Sequence, residues 1–124
     1  MTASRPRRVF HIADRAQWEQ AVPTGEYRWS TRGARLEEVG FIHCSATPGQ
    51  VREVAESFYR DYDASLVVLE IDADAAGRGG VEVRMEDGGG GELFPHLYGA
   101  LRTDWVVAVY PARFGDRGFE WGER

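Results

Sequence analysis

The sequence predicts a single α+β domain, and three features carry that expectation. Two runs, Leu66 to Ile71 and Trp105 to Tyr110, are almost wholly apolar and have the length and β-branched content of strands in a packed sheet. Val51, Val54, Ala55, Phe58 and Tyr62 recur at the spacing of one helix face lying on such a sheet. At 124 residues the chain can bury one hydrophobic core without disulfides or metals, and is too short for two ordinary domains.

Each element has its own local signal. Residues 1–6 read as a disordered lead-in, and 7–124 as the domain. Val9 to Ile12 has the apolar content of a short buried strand. Asp14 suits the N-cap of a helix over Arg15 to Val22, with Trp18, Ala21 and Val22 on its inner face, and Pro23-Thr24-Gly25 stops it. Glu26 to Glu38 is poorly periodic and reads as a loop with one helical turn near Ala34 to Glu38. Gly40 to Cys44 is a second short strand. Thr47-Pro48-Gly49-Gln50 is a strong helix start, with a Thr cap, Pro at the first helical position and Gln three residues after the cap. Leu66 to Ile71 is the central strand, and Val81 to Met85 alternates like a more exposed one. Asp87 to Gly91 reads as a flexible loop because its glycines lose too much entropy in a packed element. Trp105 to Tyr110 is a further strand that Pro111 ends, and Phe114 to Trp121 adds an edge strand or packs its aromatics on the sheet.

Charge and composition exclude several functions. The net charge of −5 argues against general nucleic-acid binding, since the phosphate backbone selects for a basic face. Arg5, Arg7 and Arg8 form the one local exception, a basic tip before the first strand. All 15 basic residues are Arg, so Schiff-base and lysine-nucleophile chemistry are excluded. Cys44 is the only cysteine, which rules out an internal disulfide and suits a reducing compartment. No apolar h-region follows the first basic residues, and no apolar run approaches the ~20 residues that span a bilayer. The expectation is a cytoplasmic protein with no membrane partner.

Three histidines carry the chemistry. His11, His43 and His96 each sit among large apolar residues on or beside a strand, where a purely structural position would favour Val, Ile or Leu. Imidazole donates, accepts and carries charge near neutral pH, so the expectation is that at least two of them line one pocket. A three-histidine zinc site is an alternative without ligand spacing to support it, and no metal is expected. Cys44 as a nucleophile is another, but on a regular strand it faces away from His43, whereas Ser45 shares that face. Glu70 interrupts an apolar run, so an Arg partner and a pocket-facing role are both open. Asp72 and Asp74 read as caps of the strand end. The Gly88 to Gly91 run matches neither a dinucleotide fingerprint nor a P-loop.

Taken together these motifs resemble the bacterial family known as domain of unknown function 952. The residues that carry the likeness are Phe10-His11-Ile12, Trp18, Gly25-Glu26-Tyr27, Gly40-Phe41-Ile42-His43-Cys44-Ser45, the apolar strand Leu66 to Asp72, and Phe94-Pro95-His96-Leu97-Tyr98-Gly99, over about residues 8 to 120. The family in turn looks like the ADP-ribosyltransferase fold, which implies split antiparallel sheets, one main helix packed on them and a central cleft. A more distant likeness is to RNA 2′-phosphotransferases. Ile42-His43-Cys44-Ser45, the helix from Thr47 to Tyr62 and the strand Val68-Leu69-Glu70-Ile71-Asp72-Ala73 follow the order of their catalytic half. The chain departs from them at Val39-Gly40-Phe41, where those enzymes carry an Arg, and the Glu of true ADP-ribosyltransferases is not evident.

The resemblance implies NAD or an ADP-ribose-like nucleotide as ligand, with transferase or glycohydrolase chemistry. His43 and His96 would be the catalytic residues. His11, Tyr27, Ser45 and Tyr98 would bind the cofactor, with Tyr27, Trp29 or Tyr98 stacking on a ring. A second reading stays open, because fold alone does not fix function. In it the same scaffold is a non-NAD small-molecule binding module or an enzyme of unrelated chemistry. The oligomeric state is left open.

Overall fold

The computed structural model describes residues 6–122. In chain order the elements are β1 (Arg8–Asp14), α1 (Arg15–Ala21), β2 (Glu26–Tyr27), α2 (Leu36–Val39), β3 (Ile42–His43), α3 (Pro48–Phe58), β4 (Leu66–Asp72), α4 (Ala73–Arg78), β5 (Glu82–Asp87), β6 (Leu93–Tyr98), β7 (Leu101–Arg102), β8 (Val106–Gly115) and β9 (Gly118–Trp121). They make a mixed α+β fold in which every named strand pair is antiparallel. The expected lead-in at residues 1–5 lies outside the described residues.

The main sheet has the order β1-β4-β8-β9, with β4 inside it as its apolar run requires. One face packs on α3, where Val51 and Ala55 are fully buried against Ile12, Leu66 and Val68. The other face, through Val9, Val67, Leu69 and Ile71, packs on Trp18 of α1 and on the smaller sheets. Burying one such side chain contributes about 1.5–3 kcal/mol, so the two faces account for most of the drive to fold. The smaller sheets have the orders β3-β6-β5 and β2-β7. Phe10 and Ser45 join the main sheet to β3 by a reciprocal backbone pair, 2.8 Å and 2.7 Å.

The caps follow the sequence. Asp14 accepts from the Gln17 N–H at 3.1 Å and Thr47 from the Gln50 N–H at 3.1 Å. The Gln50 side chain does not close a capping box. It accepts from Ala46 N–H and donates to Leu93 O, pinning the start of α3 to β6.

Three expectations are corrected. Pro111 does not end the strand: β8 runs on to Gly115, and β9 pairs with it only from Ala112 onward, so Pro111 has no β9 partner that needs its missing N–H. Asp72 caps not a strand end but the helix α4, accepting from the Ala75 N–H at 3.0 Å. Phe58 is 51% exposed while Tyr59 is 2% exposed, because the backbone leaves helical geometry at Tyr59 and carries that ring inward in place of Phe58. The expected loop is present between β5 and β6, where Asp87 Oδ1 accepts from the Gly89 and Gly91 N–H groups at 2.7 Å and 3.0 Å. Gly88 is required there, since a Cβ would stand 2.6 Å from the Phe94 ring.

The basic tip is neutralised where it is described, Arg7 pairing with Asp74 at 3.3 Å and Arg8 with Glu70 at 3.5 Å. Tyr110 also donates to Glu70 at 2.6 Å, so this carboxylate in an apolar strand serves structural partners. Among the described residues no helix is long and apolar enough to cross a membrane.

Candidate functional site

The site is built on one face of the β3-β6-β5 sheet. The sheet's core face carries Ile42, Val83, Pro95 and Leu97, all buried. The alternate positions put Phe41, His43, Phe94, His96, Tyr98, Arg84 and Glu86 together on the other face. His43 stands directly opposite His96 in the register. Its backbone bonds go elsewhere, the N–H to Ser30 Oγ at 3.1 Å and the carbonyl to His11 Nδ1 at 2.7 Å. That makes His43 and His96 a non-hydrogen-bonded cross-strand pair, the arrangement that brings facing side chains closest. Next to it Pro95 gives its carbonyl to Cys44 N–H at 2.9 Å and has no N–H to return, which keeps the β3 ladder short.

The hydrogen bonds order the ring nitrogens into one chain. Glu86 Oε1 accepts from the Tyr98 hydroxyl at 2.6 Å and lies 2.7 Å from His96 Nδ1. The Tyr98 bond first, then the His96 bond, hold the Glu86 carboxyl below the usual carboxylate range, so it is an ionised acceptor. His96 Nδ1 therefore donates to it. A neutral ring that donates from Nδ1 offers its Nε2 lone pair to His43 Nδ1, 3.2 Å away. His43 then carries its hydrogen on Nδ1, and its Nε2 is a bare acceptor. That Nε2 is buried and has no hydrogen-bond partner. Burial, with smaller contributions from His96 and His11, lowers the His43 pKa to about 4, so the ring is neutral at rest. Phe41 stacks on the His96 ring with centroids 4.0 Å apart at 11°, and the Arg84 guanidinium lies 4.2 Å over Tyr98. The sheet face thus presents a fixed chain, Glu86–His96–His43.

A cleft of about 280 Å³ opens beside this chain. Its walls are Phe41, His43 and His96 from the sheet face, with Ser30, Thr31 and Ala34 from the loop before α2. Val39, Phe58, Asp87 and Gly88 complete them. A second cleft of about 230 Å³ shares His43, Phe58 and Gly88 with the first and adds Glu53 and Glu92. Among the described residues no Arg lines either one, and the charged side chains that do are Asp87, Glu53 and Glu92.

Residues 12–109 match the family of proteins of unknown function DUF952. The chain belongs to this family. Comparison with curated proteins returns no match. Among solved structures, this DUF952 chain is similar to protein CC0527 of Caulobacter crescentus. The crystal structure is 30% identical with a TM-score of 0.74, each chain covered over 90%. The solution NMR structure of CC0527 is 28% identical with a TM-score of 0.71, over 91% of this chain and 90% of that one.

Of the site residues expected from this DUF952 sequence, the fold gathers His43 and His96 at the cleft wall and places Tyr98 behind them on Glu86. His11, Tyr27 and Ser45 are elsewhere, at 2%, 1% and 3% exposure. His11 gives its Nδ1 hydrogen to the His43 carbonyl and accepts from the Tyr27 hydroxyl on Nε2 at 2.9 Å. Burial pushes its pKa down to about 4 and pushes that of Tyr27 well above the ordinary tyrosine value. Both are therefore neutral struts that hold the backbone of His43, not cleft residues. Ser45 is taken up in the bridge to Phe10. Trp29 lies under Arg35 in a separate surface hollow. Cys44 is buried, and desolvation raises its thiol far above the usual range, which leaves it an inert core residue.

Glu86, Ser30 and Phe41 are the site residues that motif reading missed. Phe41 and Glu86 had one usable signal each. Phe41 stands two residues before His43 and shares its face, and Glu86 continues the alternation of Val81 to Met85. Ser30 had none.

Proposed function

We propose that the cleft binds a small neutral molecule with an apolar body, and that His43 acts on it as a general base backed by His96 and Glu86. The bare, buried Nε2 of His43 at the end of an ordered donor chain carries this reading. A buried acceptor left unpaired costs about 1–3 kcal/mol, which a ligand donor reaching it would offset. Protonation at Nε2 makes His43 cationic. Its Nδ1 hydrogen can then pass to His96, which leaves the positive charge beside the Glu86 carboxylate. The Glu86 carboxylate thus faces the positive charge that burial alone would disfavour. The cleft volume falls near the lower end of the range for small-molecule sites, of about 300–1,000 Å³.

NAD is the ligand that the likeness to ADP-ribosyltransferases suggests, and the donor set here does not suit it. Its pyrophosphate would bring negative charge against Asp87 with no Arg in the lining to meet it. His11, Tyr27 and Ser45, the residues the resemblance offers for the nucleotide, are enclosed in the core. The second reading, a non-NAD module or enzyme on this scaffold, is the one these residues favour.

The test is a thermal-shift screen of neutral fragments and of NAD against the wild type and His43→Asn. The Asn amide keeps a donor toward His96 and removes Nε2. The expectation is stabilisation by neutral fragments, about 2.7 kcal/mol at 100 times Kd, absent in His43→Asn with the variant still folded. Stabilisation by NAD alone, or shifts that His43→Asn leaves intact, would overturn the proposal.

A further inference from the structure

Ser30 is buried at 3% exposure and lines the larger cleft. Its Oγ accepts the His43 N–H at 3.1 Å, and its backbone N–H is used by Ala34 O at 2.7 Å. The hydroxyl hydrogen has no acceptor among the described residues. A buried hydroxyl donor without an acceptor is uncommon, and this one stands beside the residue whose Nε2 is an acceptor without a donor.

The loop that presents Ser30 is held under strain. Arg32, two residues on, is a non-glycine residue at φ 51, a conformation that costs roughly 1 kcal/mol or more and persists only when its surroundings impose it. Tyr59 accepts the Arg32 N–H at 2.6 Å, while the Arg32 guanidinium bonds Phe58 O at 2.7 Å and Asp61 at 2.6 Å. These anchors on the end of α3 fix the loop against the cleft.

We infer that Ser30 is the hydrogen-bond donor of the site, and that its ligand is a small neutral carbonyl compound of the amide or imide class. The carbonyl oxygen accepts from Ser30 Oγ, and the adjacent N–H faces His43 Nε2. This deepens the proposed role of His43 and rests on it. An amide is a group that carries an acceptor and a donor a few bonds apart without net charge. Phe41, Val39 and Ala34 provide apolar wall for the rest of the molecule. The acidic residues lining the two clefts disfavour a carboxylate or phosphate in its place, and an ammonium carries no acceptor for the Ser30 hydroxyl.

The test uses protein-observed NMR titration with benzamide and succinimide, and with benzoate, benzylamine and toluene as matched probes. Wild type, Ser30→Ala and Ser30→Cys are compared, the cysteine keeping the shape with a weaker donor in case the alanine variant fails to fold. The expectation is that benzamide or succinimide binds at least tenfold tighter than the other three probes and perturbs Ser30 and His43. Affinity should fall at least tenfold in Ser30→Ala and by a smaller factor in Ser30→Cys. Tighter binding of benzylamine, benzoate or toluene at His43, or amide binding unchanged in both Ser30 variants, would overturn the assignment while leaving His43 as the working base. If no probe perturbs His43, the assignment and the proposed function fall together.

Discussion

Removing the His11 ring strands two buried polar atoms, the Tyr27 hydroxyl and the His43 carbonyl, which both bond to it. At about 1–3 kcal/mol for each unsatisfied partner, His11→Ala should lose about 2–6 kcal/mol of stability in urea unfolding, and Tyr27→Phe about 1–3. Neither effect is expected for His43→Asn, whose ring nitrogen Nε2 has no partner to lose. The three histidines thus separate by position, one bonded within the core and two at the cleft wall. Sequence shows three imidazoles in apolar settings and cannot rank them, because the two partners of His11 lie 16 and 32 residues away in the chain.

At the scale of elements, the loop before α2 depends on the end of α3. Tyr59→Phe leaves the Arg32 N–H without its acceptor at a strained position. The expectation is a loss of about 1–3 kcal/mol and faster hydrogen exchange at Arg32 and Ser30 than elsewhere, read by native-state exchange. Gly88→Ala should also destabilise, by forcing Phe94 from its place beside His43, and a crystal structure of that variant would show the displaced ring. The strand and helix signals that held were the local ones: the Thr47-Pro48 start of α3, the apolar run of β4 and the Asp14 cap. The loop holding Ser30 was illegible because its order comes from Tyr59 and Asp61, far along the chain, and not from its own pattern. The helix α4 escaped notice because its six residues include Gly77, and it rests on the Asp72 cap and two buried alanines.

Across the whole molecule, buried neutral histidines couple stability to pH. The unfolded chain takes up a proton on each imidazole near the ordinary value of 6.5, while folded His11 and His43 do so only near 4. Between those values the unfolded state binds more protons, so stability is full above pH 6.5 and falls as pH drops toward 4. His11 alone should cost on the order of 3 kcal/mol by the end of that window, and a His11→Gln variant should show a flatter profile in denaturant unfolding at stepped pH. The architecture explains why both rings are desolvated. His11 lies in the main sheet, His43 in the smaller one, and the Phe10–Ser45 bridge that joins the sheets sets one ring behind the other.

Long-range proton–nitrogen NMR of the histidine rings at neutral pH tests the central claim most directly. The account predicts that His43 carries its hydrogen on Nδ1 and has a bare Nε2. A His43 found protonated on Nε2, or on both nitrogens, would contradict it.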